Sequence, residues 1–206
     1  MNNLEQINKI KEWLGTGSIN IFGRPFSGKD AQGERLANIL GGNLIGGGDI
    51  LCNSIIPKDI RNNIQTGKLI PTDDYIKIVL PYLKQNNLAG KPLILSSVGR
   101  WHGEEKGVIK AINESGHTLK VVIYLDISNN ESYERWLKKD INNDRPNRHD
   151  DDKEILNIRF KEFEDKTIPV IDYYDNAGIL IRIDGRPSRD EVTKNIFNAL
   201  YNISYN

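Results

Sequence analysis

The fold is decided by Gly23-Arg24-Pro25-Phe26-Ser27-Gly28-Lys29, which follows an apolar run at residues 19–22 and precedes a helix-like segment at residues 30–37. Together these segments predict a strand, a phosphate-binding loop and a helix. Two glycines at this spacing let the backbone turn tightly and direct several N–H groups at an anion, while the helix N-terminus and Lys29 add positive charge. We therefore expect the loop to hold a nucleotide triphosphate.

The residue after the loop lysine departs from the usual phosphate-loop pattern. That pattern has a serine or threonine hydroxyl that binds magnesium, whereas this chain has Asp30. Two roles stay open for its carboxylate: it binds magnesium directly or through water, or it caps the helix. Asp49 and Ser96 are further candidates for the water shell of the ion.

Composition limits the classes of protein to consider. The 206 residues favour one core with a small insertion over two independent domains. Equal numbers of basic and acidic residues, 28 each, leave no overall positive charge to attract nucleic acid. Cys52 is the only cysteine, which excludes an internal disulfide framework and a cysteine-rich zinc cluster. No signal peptide or membrane span is indicated, and we expect a cytoplasmic monomer.

Further apolar runs predict the other strands. They lie at residues 92–95, 121–125 and 179–183, each bounded by glycine or polar residues and separated by helical patterns. An amphipathic helix is predicted over residues 4–14. We expect an α/β fold with a parallel sheet of about five strands, helices on both faces, and ligands at the carboxyl ends of the strands.

Two segments interrupt this alternation. Residues 47–82 are entered by glycines and are mostly helical in pattern, and residues 141–150 are short and polar. We interpret both as moving covers of one domain whose core comprises residues 1–46, 83–140 and 151–206.

Basic residues recur at helical spacing in the second half of the chain. Arg148 and Arg159 are 11 residues apart, close to three helical turns, and Arg135 and Lys139 are four apart. Phosphoryl transfer requires positive charge around the migrating group and in-line alignment of its oxygens. Arginine suits this requirement because its guanidinium group binds phosphate bidentately and stays charged.

The sequence resembles the adenylate kinase family, or nucleoside monophosphate kinases more broadly. Residues 23–32 resemble the family's G-x-P-G-x-G-K-G-T-Q loop and keep its proline, second glycine, lysine and glutamine. Gly48-Asp49-Ile50-Leu51 resembles its G-D-[ML]-L motif at the acceptor nucleotide, and Gly67-Lys68-Leu69-Ile70 resembles its G-x-L-V turn.

The second half of the chain carries a more specific match, and the resemblance extends in order from residue 19 to about residue 196. Residues 148–159 resemble the family's R-x-D-D helix start and later arginine, and residues 167–174 resemble its T-x-P-[LV]-[IL]-x-Y-Y run. Asp184-Gly185 resembles the turn whose backbone meets the donor adenine.

The resemblance implies a P-loop NTPase-like fold in which residues 47–82 bind the nucleoside monophosphate and residues 141–150 form a short lid. It implies that the chain transfers the γ-phosphoryl group of ATP to a nucleoside monophosphate, expected to be AMP, with Mg²⁺. The implied catalytic residues are Lys29, Arg100, Arg135, Arg148 and Arg159. The implied ATP-binding residues are Gly23, Pro25, Phe26, Ser27, Gly28, Lys29, Asp30, Ala31, Arg135, Lys139 and Arg186. The implied acceptor-binding residues are Gly48, Asp49, Leu51, Leu69, Ile70, Gly99, Arg100, Glu104, Arg148 and Arg159.

Outside the phosphate loop, several positions do not match the family pattern. Cys52 stands at a usual arginine position, Ser96 at a usual metal-linked aspartate, Gly99 at a usual proline, and Glu104 at the glutamine that reads the acceptor adenine. A carboxylate accepts from the exocyclic amine of adenine but cannot donate to its ring nitrogen, whereas guanine offers two adjacent donors.

These departures leave alternatives open. Glu104 either reads the base or faces solvent, the commoner position for glutamate. The acceptor is AMP or, in a kinase of the same fold, GMP, UMP, CMP or a deoxynucleotide. A nucleotide-binding regulatory protein with weak or no turnover is an alternative of another class.

Overall fold

Five parallel strands form one sheet in the computed structural model, which describes residues 3–47, 50, 78, 81–85, 88–138 and 153–205. The strands are β1 (Ser18–Gly23), β2 (Asn43–Gly46), β3 (Leu93–Ser96), β4 (Leu119–Asp126) and β5 (Leu180–Asp184). Their order is β2-β3-β1-β4-β5, and every neighbouring pair is parallel. The predicted α/β fold with a five-stranded parallel sheet is confirmed.

Helices cover both faces of this sheet, also as predicted. They are α1 (Asn3–Leu14), α2 (Lys29–Leu40), α3 (Glu105–Glu114), α4 (Asn129–Leu137), α5 (Lys153–Glu162), α6 (Ile168–Asn176) and α7 (Arg189–Ile203). A π-helical turn, Phe163–Thr167, joins α5 to α6. Among the described residues, no helix combines the length and the apolar composition that crossing a membrane requires.

The central strand shows why the sheet is buried on both faces. All six residues of β1 are buried, as expected for a parallel strand with helices above and below it. Ile19 and Ile21 join the apolar cluster of α1, α2 and α7. Phe22 faces the opposite side, in a cluster with residues of the π-helical turn and α6 that include Phe163 and Tyr174.

The sequence did not predict strand β2, and two predicted segments, the insertion and the lid, fall mostly outside the described residues. The apolar runs predicted four of the five strands, but none of them located β2. That strand has only four residues, of which one is fully buried, so its hydrophobic signal is weak. Most of residues 47–82 and all of residues 141–150 lie outside the described residues, and the insertion and lid stay predictions.

The strand order sets the position of the site. β1 lies between β3 and β4, so the loops that follow these three strands leave the same edge of the sheet. In parallel α/β sheets this carboxyl edge is where ligands bind.

Candidate active site

The phosphate loop runs from the end of β1 to the start of α2. An added Cβ at Gly23 would overlap Ser27 Oγ and lie 3.2 Å from the Leu125 carbonyl oxygen, so only glycine fits there. Gly28 has φ +88° with open space around the position of a Cβ, and Phe26 also has a positive φ, +61°. The backbone therefore bends sharply just before α2, with open space beside Gly28 at the N-terminus of that helix.

Helix α4 holds the outer side of this loop. Ser132 Oγ donates to the carbonyl oxygen of Pro25. Arg135 Nη1 donates to the carbonyl oxygens of Ser27 at 3.3 Å and Phe26 at 3.5 Å. Because the C=O and N–H of a trans peptide point in opposite directions, carbonyls that face α4 place the following N–H groups on the other side of the backbone.

Arg135 also connects the loop to the turn after β5. Its Nη2 donates to the carbonyl oxygens of Gly185 at 2.8 Å and Arg186 at 3.4 Å. The structure thus brings Arg135 and the Asp184-Gly185 turn together beside the phosphate loop. The Arg186 side chain pairs with Asp184, with Nε–Oδ1 and Nη2–Oδ2 distances of 2.8 and 2.7 Å. Hydrogen bonds from the side chain and the backbone of Arg186 lower the pKa of Asp184 to about 2.

Two of the three predicted metal-binding residues are in contact. Ser96 Oγ donates to Asp30 Oδ1 at 2.6 Å, and Lys29 Nζ lies 3.6 Å from Asp30 Oδ2. Gly28 is the N-cap residue of α2, so Asp30 lies inside the first turn and is not the N-cap residue. Asp49 is outside the described residues.

This donor set suits Mg²⁺. The ion prefers oxygen ligands and usually keeps several waters and substrate phosphates, so one or two protein oxygens suffice. Within the described ranges, no group of three or more His, Cys, Asp or Glu side chains is placed to hold a metal. The Asp30 carboxylate and the Ser96 hydroxyl, which contact each other next to Lys29, could supply such oxygens.

The loop after β3 is fastened to the central strand. Asn20 Nδ2 donates to the Val98 carbonyl oxygen at 2.8 Å, and the Val98 N–H donates to Asn20 Oδ1 at 3.2 Å. The next residue, Gly99, has φ +75°, and an added Cβ would lie 2.8 Å from Val108 Cγ2. Proline, the usual family residue, has a fixed negative φ and cannot adopt this conformation. Arg100 follows and is half-buried.

Glu104 is buried, with 2% of its surface exposed. Its Oε2 accepts from the Trp101 N–H at 3.4 Å. The adjacent Glu105 accepts from the Gly103 N–H at 2.9 Å and lies 2.9 Å from His102 Nδ1. The alternative that Glu104 faces solvent is therefore wrong, and the carboxylate lies against the loop that carries Arg100.

Of the remaining predicted site residues, two are located on helices and the others lie outside the described ranges. Arg159 is half-buried on α5, and Ala31 lies in the first turns of α2. The predicted residues outside the described ranges are Lys139, Arg148, Gly48, Asp49, Leu51, Leu69 and Ile70. Their roles stay predictions.

Two residues of the loop motif have structural roles that the sequence does not indicate. Gln32 Nε2 donates to the Arg189 carbonyl oxygen at 2.8 Å, and Gln32 Oε1 accepts from Thr193 Oγ1 at 2.8 Å, which joins α2 to α7. Arg24 donates to Tyr124, Asn129 and Glu164. These partners lie at least 100 residues away along the chain, so the local motif could not predict them.

Comparison with known proteins agrees with this geometry. The adenylate kinase family model matches residues 21–179. The chain belongs to the adenylate kinase family. The chain is 28% identical over 193 residues to an adenylate kinase of Thermus thermophilus, and the alignment covers 91% of this chain and 99% of the relative. Identity to an adenylate kinase of Phocaeicola vulgatus is 29% over 188 residues, which covers 89% and 97% of the two chains.

Adenylate kinase family membership establishes the class of reaction. The protein is a nucleotide-binding phosphotransferase whose acceptor is a phosphate group. The match covers the phosphate loop, the loop that carries Arg100, and the helices that carry Arg135 and Arg159.

Proposed function

We propose that the protein transfers the γ-phosphoryl group of ATP to a nucleoside monophosphate, with AMP as the preferred acceptor (ATP + AMP = 2 ADP). The supporting observation is the sharply bent, glycine-containing loop with Lys29 at the N-terminus of α2, in a chain of this family. Such a loop offers backbone N–H groups, a helix dipole and a lysine to the phosphates of the donor.

The donor is proposed to lie along the phosphate loop with its adenine at the Gly185 turn. α4 would keep the loop carbonyls away from the anion, because Ser132 and Arg135 already bind them. Ser27 Oγ is buried and makes no hydrogen bond within the described structure. A buried hydroxyl in that state is a ready donor to a phosphate oxygen.

Asp30 and Ser96 are proposed to hold Mg²⁺, directly or through water. When it is bound, the ion supplies charge neutralisation on the donor phosphates. Lys29, within 3.6 Å of Asp30, would then bind phosphate oxygens next to it.

The acceptor phosphate is proposed to bind Arg100, with Arg135, Arg148 and Arg159 around the transferring group and Lys139 assisting at the donor. No covalent enzyme intermediate is needed, since phosphoryl transfer depends on alignment and electrostatic stabilisation. These side chains would exclude water and hold donor and acceptor oxygens in line.

GMP is a second candidate acceptor. The buried Glu104 carboxylate favours it, because guanine presents two adjacent donors to such a group. AMP is favoured by the relatives, which carry the name adenylate kinase.

A panel of acceptors tests the proposal. The formation of nucleoside diphosphate is measured with ATP and Mg²⁺, with AMP, GMP, UMP, CMP or one of their deoxy forms as the acceptor. The highest kcat/KM is expected for AMP, and an equal or higher value for another monophosphate would replace AMP as the preferred acceptor. Nucleotide binding by calorimetry without any diphosphate would instead indicate a nucleotide-binding regulatory protein.

A lysine variant tests the assigned roles. Lys29→Met is expected to lower kcat by about 100-fold or more, because it removes a positive charge at the transferring group. Lys110→Met is the matched control, since Lys110 is an exposed lysine of α3. If Lys29→Met transfers phosphate as fast as the wild type at all acceptor concentrations, the assigned roles are wrong.

A further inference from the structure

The π-helical turn Phe163–Thr167 contacts both sides of the candidate active site. Within it the Ile168 N–H donates to the Phe163 carbonyl oxygen, five residues back. Turns of this kind insert one residue into a helix and often occur at functional sites. Here the turn separates α5, which carries Arg159, from α6.

On the donor side, the turn holds the phosphate loop through Arg24. Glu164 Oε1 accepts from Arg24 Nη2 at 2.6 Å. The other guanidinium nitrogens donate to the Tyr124 hydroxyl at 2.5 Å and to Asn129 Oδ1 at 2.8 Å. The Arg24 side chain is 13% exposed, and its guanidinium group lies 5.0 Å from the centre of the Phe163 ring. All three of its nitrogens bind protein, so Arg24 fastens the loop to the rest of the fold.

On the acceptor side, the same turn holds the loop that carries Arg100. Thr167 Oγ1 donates to the Arg100 carbonyl oxygen at 3.1 Å, and Thr167 is 1% exposed. Lys166 Nζ lies 3.8 Å from the centre of the Trp101 ring and 2.9 Å from Glu162. Two successive residues of the turn therefore contact two successive residues of the loop after β3. We call this loop the acceptor loop because it carries Arg100, the proposed ligand of the acceptor phosphate.

The turn is itself anchored in the core. Phe163 is buried and stacks on Tyr124 of β4, with ring centres 6.4 Å apart and planes inclined by 24°. Because Tyr124 also binds Arg24, the strand, the turn and the phosphate loop form one connected contact. An element held in this way has little freedom to let the two loops shift relative to each other.

We propose that this turn is a positioning element that sets the separation of the donor and acceptor loops, through Glu164 and Arg24 on one side and Thr167 on the other. The inference rests on the proposed phosphotransfer between ATP and a nucleoside monophosphate. In-line transfer depends on the relative placement of donor and acceptor, and a misplacement of about 1 Å can cost about 100-fold in rate.

Three variants test the positioning element. Glu164→Gln removes the charge-assisted bond to Arg24, Arg24→Lys removes its three-way fork, and Thr167→Val removes the hydroxyl that binds the Arg100 carbonyl. Each is expected to lower kcat by about 10-fold or more, while KM for ATP and for the acceptor changes by less than about 3-fold. We expect kcat to fall while KM stays nearly constant because the groups that contact the substrates remain and only their alignment with each other changes. Thr167→Ser keeps the hydroxyl and is expected to retain the wild-type kcat.

Asp165→Asn is the matched control on the same turn. Asp165 is exposed and pairs with Lys161 in the preceding helical turn, so kcat is expected within about 2-fold of wild type. All rates are measured at a temperature at which circular dichroism shows each variant folded. The double variant Glu164→Gln/Thr167→Val is expected to lose less than the product of the single losses, since both bonds act through one turn.

The outcomes separate this inference from the proposed function. A wild-type chain that forms no diphosphate overturns the proposed function and this inference together. This inference alone is overturned if the wild type turns over normally but the variants keep the wild-type kcat or behave like Asp165→Asn. It is also overturned if the variants only raise KM, or if the double variant loses as much as the product of the two single losses.

Discussion

Replacing Gly99 with alanine should destabilise the protein through two separate effects. A non-glycine residue in the left-handed region, here at φ +75°, costs about 1–2 kcal/mol. The new Cβ would lie 2.8 Å from Val108 Cγ2, and overpacking of a buried site costs about 1–3 kcal/mol. Reduced freedom of the unfolded chain offsets about 0.4–1 kcal/mol of this. We expect a net loss of about 3 kcal/mol, which lowers Tm by about 6–12 °C for a chain of this length.

Gly116→Ala separates the two effects. Gly116 also has a positive φ, +85°, but nothing lies within 4 Å of an added Cβ. Only the conformational cost applies, so Tm should fall by about 2–4 °C. Thermal unfolding followed by circular dichroism measures both variants. Equal losses would refute the reasoning, because they would show that the loop moves away from Val108 at no cost.

Two further predictions concern charge. Burial raises the pKa of the Tyr124 hydroxyl from 10.0 to about 12, so the unfolded chain releases this proton first as pH rises, and stability present below pH 10 is lost towards pH 12. In urea unfolding, the free energy of unfolding of the wild type should fall by about 2 kcal/mol more between pH 10 and pH 12 than that of Tyr124→Phe. Equal losses in the two proteins would contradict this prediction. Asp30→Asn should raise the half-saturating Mg²⁺ concentration for diphosphate formation by about 10-fold, whereas an unchanged requirement, as expected for the control Asp165→Asn, would remove Asp30 from the metal site.

The fold could be predicted from the sequence wherever the burial of a strand required a continuous apolar run. The strands that contain Ile19, Ile94, Ile123 and Ile181 are apolar because helices cover the sheet on both faces. The sequence did not indicate β2 because its four residues, Asn43–Gly46, contain only two apolar side chains in succession, too few for a recognisable run. Its pairing with β3 is a long-range contact that no local pattern encodes.

The candidate site could be predicted from the sequence only in part. The glycines and lysine of the loop follow from the geometry that an anion requires, and the structure places Arg135 beside the loop and the Gly185 turn. The burial of Glu104 was not predictable, because glutamate is usually exposed and its position depends on the loop that folds over it. The partners of Arg24 were hidden for the same reason, since they meet it only in the folded chain.

The hold of α4 on the loop carbonyls has a consequence for how the anion site is encoded. Every residue of the glycine-rich motif lies before position 33, whereas Ser132 and Arg135, which bind the carbonyls of Pro25, Phe26 and Ser27, come about a hundred residues later. An N-terminal fragment that stops short of α4 would contain the complete motif without these supports. Its peptide groups would be free to rotate, and its affinity for phosphate should be far below that of the intact chain.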